Sequence, residues 1–115
     1  MGWDIKAGKK RGRIGYAGYI NALRDIAHVL DPAHEHIFSN PFAYSEAEWS
    51  AKCRECKHEL YLLCCASDLS PTYSAKEAAA IADFLEKITE PTERVKKLQD
   101  IFLYARRYHA HVYFS

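Results

Sequence analysis

No stretch of this 115-residue chain approaches the ~20 apolar residues that a bilayer-spanning helix needs. The first residues, Met1-Gly2-Trp3-Asp4-Ile5-Lys6, lack the apolar centre of a signal peptide. Lys6 stands where a myristoylation site has Ser or Thr. A Walker-type loop, a nucleophile elbow and an HExxH pair are also missing, so none of those devices points to nucleotide, ester or peptide hydrolysis. Internal repeats and low-complexity segments are absent, and no run is read as alternating in the manner of a strand. What remains is the expectation of a single soluble, cytoplasmic domain, with no membrane contact, of a size that can bury one core.

The four cysteines do not form the spread-out framework of a small secreted protein. Cys53 and Cys56 lie three apart, and Cys64 and Cys65 are adjacent. Two Cys with two of His34, His36, His58, His109 and His111 would make a common zinc set. Zinc ribbons, however, present their CxxC pair on a tight turn, whereas Cys53 and Cys56 fall on one helical stripe with Trp49, Leu60 and Leu63. The expectation is therefore reduced, buried, metal-free cysteines and no cofactor.

Helical periodicity dominates the rest. Apolar residues recur at helical spacing from Tyr16 to Leu30, from Ser45 to Ala66, from Ala75 to Ile88 and from Thr92 to His111. Ser45 with Glu48, and Ser74 with Glu77, have the spacing of capping boxes. Asp31-Pro32, Asn40-Pro41, Ser70-Pro71 and Glu90-Pro91 separate the helices, and Ile37, Phe38, Phe42 and Tyr44 are expected to pack as a lid. Residues 1–13, rich in Gly and Lys/Arg, read as an irregular, mobile basic arm, and 14–115 as a single helical domain. The expected fold is all-α: a four-helix bundle with that N-terminal arm.

The net charge of +1 hides an asymmetry. Residues 1–24 carry six Lys/Arg against one acid, residues 25–93 five against thirteen, and residues 94–115 five against one. If the two basic ends meet in space they form one positive face. The candidate binding residues are Lys9, Lys10, Arg11 and Arg13 of the arm, with Tyr104, Arg106, Arg107, Tyr108 and His111 of the last helix. Gly12, Gly15 and Gly18 recur every three residues and let the arm turn into the first helix. Tyrosines among Arg and His suit stacking and phosphate contact and also protein hot spots. The function expected is a non-enzymatic binding module with a macromolecular partner, protein ahead of RNA or DNA; a homodimer is allowed.

Arg106-Arg107-Tyr108-His109-Ala110-His111 also resembles the Rx4-6H motif of HEPN domains, small helical bundles that carry the motif on a late helix. The family often has Asn, Asp or His after the Arg, where this chain has Arg107. The resemblance implies an alternative, a ribonuclease. Its Arg106 and His111 from two protomers would hold the scissile phosphate and assist attack by the ribose 2′-hydroxyl.

Overall fold

The structure, a computed structural model, describes residues 2–40, 43–64 and 72–115. Trp3, Ile5 and Ala7 alternate with Asp4 and Lys6, a period of two that turns every second side chain toward the core. They form β1 (Gly2–Ala7), which folds back on β2 (Lys10–Gly15). Gly8 opens the two-residue turn at φ +57°, a left-handed conformation that costs glycine little. Near the other end of the chain, β4 (Val112–Phe114) runs along the free side of β1, and β3 (Thr72–Tyr73) along β4. All pairings are antiparallel, in the order β2-β1-β4-β3.

This sheet corrects the all-α, four-helix expectation. Its first two strands come from the residues read as an irregular arm and its entry to the first helix, β4 from the tail read as helix end, and β3 from the connection before Ala75. The alternation in Trp3–Ala7 is short, and a lone hairpin is marginal. What stabilises it lies far away in sequence. The ring of Phe114 meets those of Trp3, Tyr19 and Tyr73 edge-on at 5.7–6.0 Å, and Tyr73 meets Phe102 at 5.8 Å. Trp3, Ile5 and Ala7 are core residues.

Among the described residues six helices complete the fold. They are α1 (Tyr16–Leu30), α2 (Glu35–Ser39), α3 (Glu46–Arg54), α4 (His58–Cys64), α5 (Ala75–Glu86) and α6 (Glu93–Tyr108), with a 3-10 turn at Pro32–His34. Helices α1 and α6 lie against the inner face of the sheet. Gly12 makes this close: a Cβ there would come 2.7 Å from Ile101 Cδ1 of α6. Gln99 is buried and donates to the carbonyls of Leu85 and Ile88, satisfying the end of α5.

Two helix ends differ from the periodicity. The helix expected over 45–66 is broken at Glu55–Lys57, where Glu55 N–H reaches Lys52 O and Cys56 N–H reaches Cys53 O at 3.1 Å each. The last helix stops at Tyr108 because His109 adopts φ 51° and ψ 42°, a left-handed end that turns the chain into β4. His109 itself is exposed. Both capping boxes form as expected. Cys53, Cys56, Leu60, Leu63 and Leu98 are buried, and Trp49 is half-buried, edge-on to Phe38 at 5.6 Å. Pro41 and Phe42, the end of the second expected helix with Cys65 and Ala66, and the Ser70-Pro71 turn lie outside the described residues. No helix among the described residues is long and apolar enough to cross a membrane.

Candidate functional site: an open basic sheet face

With the helices on one side, the other side of the sheet faces solvent, and the strand register decides which side chains it presents. Thr72 pairs with Tyr113, Tyr113 with Lys6, and Lys6 with Arg11, one row across all four strands. The next row brings Asp4 opposite Arg13, with Ser115 exchanging both backbone hydrogen bonds with Asp4 at 2.9 Å. A shallow cavity of about 160 Å³ between these rows is lined by Asp4, Lys6, Arg11, Gly12 and Ser115, among others. Tyr113 is 47% exposed and stands beside His111, their rings 6.3 Å apart.

The two basic ends of the chain do meet. Tyr104 of α6 packs across the hairpin turn: a Cβ on Gly8 would lie 3.4 Å from its ring. Lys9 and Lys10 at that tip therefore adjoin the end of α6, where the Tyr104 and Tyr108 rings lie 4.6 Å apart, tilted by 44°, and Arg107 lies 5.5 Å from the Tyr108 ring. At the other end of β2, a cavity of about 310 Å³ is lined by Arg13, Gly15, Gly18, Arg94 and Lys97, among others. Gly15 is the N-cap of α1 and provides no side-chain cap.

The cations divide into two sets. Arg106 is braced: its guanidinium donates to Asp83 at 2.7 Å and to Glu86, both on α5, which holds its proton more tightly than usual. Arg94 likewise donates to Asp25 at 2.9 Å. Lys6, Lys9, Lys10, Arg11, Arg13 and Arg107 are exposed and make no ion pair among the described residues. Of the residues expected in the site, Lys9, Lys10, Tyr104, Arg107 and Tyr108 gather at the hairpin tip. Arg11 and Arg13 lie on the open face, with His111 at its margin, and Arg106 faces α5. A helix end and the left-handed His109 separate Arg106 from His111, so the two do not share a helix as the HEPN motif implied. Lys6 and Tyr113, absent from the expected site, are central to the face. The signal for both was the alternation in Trp3–Ala7 and Val112–Phe114.

A second constellation lies among the short helices. Asp31, 5% exposed, accepts from His34 Nδ1–H through one carboxylate oxygen at 2.8 Å and from the Lys57 N–H through the other at 3.0 Å. The bond to Asp31 pushes the His34 pKa up. Asp31, His34 and Cys56 offer ligand atoms within 4.8 Å of one another. The neighbouring Cys53 and Cys56 thiols and burial push the Cys64 pKa well up, while Cys64 and the nearby His34 pull Cys56 down. The Cys56 thiol donates to the Lys52 carbonyl at 3.8 Å.

No family model, curated protein or solved structure matches this chain.

Proposed function

We propose that the protein is a non-enzymatic binding module that holds the acidic surface of a macromolecular partner on its open sheet face and the adjoining hairpin tip. One observation carries the reading: Lys6 and Arg11, which make no ion pair among the described residues, stand directly opposite each other, in line with exposed Tyr113. Like charges in that position destabilise a sheet, and an anionic partner offsets the repulsion. Tyr113 and Tyr108 add the aromatic area typical of interface hot spots. A protein suits the face better than a nucleic acid. Asp4 lies within it beside Arg13, and the whole chain carries only +1, so a partner of mixed charge fits where a phosphate backbone meets an acid.

The test is a pull-down from the native host, scored for protein and RNA, with wild type, Lys6→Glu/Arg11→Glu and Arg106→Ala. Wild type and Arg106→Ala should retain the same protein partner, and the double reversal should lose it. A partner held equally by all three variants overturns the reading. If the captured partner is RNA, with affinity falling steeply as salt rises, the face is a nucleic-acid site instead.

A further inference from the structure

The expectation of metal-free cysteines rested on an unbroken helix over 45–66, and that premise fails at Glu55–Lys57. Cys56 sits in the turn made there, its N–H bonded to Cys53 O at 3.1 Å. A second tight turn leaves the end of α1: Asp31 N–H bonds Ala27 O at 2.8 Å, and His34 N–H bonds Asp31 O at 3.0 Å. The Asp31 carboxylate joins the two turns. One oxygen accepts the Lys57 N–H at 3.0 Å, and the other holds His34 Nδ1 at 2.8 Å. Backbone hydrogen bonds therefore fix both turns, and one ligand atom from each of Asp31, His34 and Cys56 comes within 4.8 Å of the other two.

We propose that Asp31, His34 and Cys56 bind one zinc ion and leave the fourth position of its tetrahedron open. Two observations carry this. The first is the shape of the cluster. A nucleophile relay strings its groups in line, with the carboxylate on the far side of the imidazole from the nucleophile. Here oxygen, nitrogen and sulfur each lie within 4.8 Å of the other two, so they converge on one place. Zinc binds all three atom types, whereas magnesium and calcium take oxygen. The second observation is the Asp31 carboxylate itself. It is 5% exposed, and no Lys or Arg pairs with it among the described residues. A buried carboxylate needs a compensating charge, and His34 offers one only when protonated. A divalent ion supplies that charge while His34 stays neutral, the form that ligates.

Three protein ligands and one position left to water distinguish this arrangement from a closed structural site. The His34 side chain is 26% exposed against 7% for Asp31, so the ion and its water enter past the imidazole. Binding releases the Cys56 thiol proton, and any second proton on the His34 ring, to solvent, with no change of oxidation state. The ion ties the end of α1 to the break between α3 and α4, which have nine and seven residues. Cys53 is the one buried residue of α3, so a metal there contributes folding free energy where apolar area is scarce.

The test uses the full chain, purified without chelator from zinc-supplemented cells, with metal measured by mass spectrometry and by cobalt(II) titration of the stripped protein. The expected result is one zinc per chain, a thiolate-to-cobalt charge-transfer band, and a melting temperature that falls on chelation. Cys56→Ser should lose the band. His34→Ala and Asp31→Asn should leave cobalt unbound at concentrations that saturate wild type. Cys53→Ala, outside the ligand set, should keep the band. Azide should shift the visible cobalt bands of wild type by entering the open position. Should a ligand variant fail to fold, the wild-type stoichiometry and spectrum still decide. Folded wild-type protein that holds no zinc and gives no thiolate–cobalt band overturns the proposal. So does a folded Cys53→Ala that loses the band, or a cobalt spectrum that azide leaves unmoved, since either result means a different ligand set.

Discussion

Helices α3 and α5 begin alike, each with a Ser N-cap whose hydroxyl accepts from the backbone three residues on and a Glu that bonds back. They are then held by different means. Helix α5 buries Ala78, Ile81, Ala82, Phe84 and Leu85, and packs closely on α6. Helix α3 buries only Cys53, and beside it Asp31 holds His34 and the Lys57 N–H. One region rests on apolar area, which is large and non-directional. The other rests on a few directional groups, each of which loses most of its value once a partner is missing. The comparison sets the long α5 and α6 against the short α2, α3 and α4.

The largest effect should come from the apolar region. Phe102, fully buried on α6 against Tyr73, should cost about 3–5 kcal/mol as Phe102→Ala in denaturant unfolding. A loss under about 1 kcal/mol would remove α6 from the core and end the contrast. Next is Asp31→Ala, which leaves the His34 Nδ1–H and the Lys57 N–H without their acceptor. About 2–3 kcal/mol is expected. Hydrogen exchange should show the damage concentrated in α4 and the turn before it; protection lost evenly across α5 and α6 would contradict the division.

The smallest effect sharpens the comparison most. Ser45→Ala and Ser74→Ala remove the same cap and should each cost about 1 kcal/mol. In α3 the loss should appear as faster local exchange of its own amides, because little else holds it. In α5 it should appear only in global stability. The pH dependence follows the same line. The Ser45 hydroxyl and backbone hold the Glu48 carboxyl below its ordinary value of 4.5. A depressed carboxylate stabilises above its unfolded value, and that contribution is lost as the pH falls through the folded value. Protection of α3 should therefore drop in acid for wild type and change less in Ser45→Ala. Equal acid sensitivity in both would show that Glu48 is not the group responsible.

The sequence alone was clearest where the pattern was long. The stripes of α1, α5 and α6 were legible because three or more helical turns repeat one spacing. Both caps were legible because four residues suffice to specify them. The hairpin was not: Trp3, Ile5 and Ala7 alternate over five residues only, and the basic composition of 1–13 suggested a solvated arm. The helix break was hidden because Glu55, Cys56 and Lys57 have no residue type that ends a helix. Lys6 and Tyr113 escaped the site for the same reason as the strands, since only the register shows that they face the same way.

Local physical chemistry, acting within four or five residues, decided the long helices, their caps and the charge asymmetry before any folding. Contacts between residues tens to more than a hundred positions apart decided the rest. Phe114 closes the core over Trp3, and Tyr113 comes to lie beside Lys6. Asp31 accepts the N–H of Lys57, twenty-six residues ahead, at the break before α4. Such contacts depend on loop closure and on shape in three dimensions, and a linear pattern carries neither.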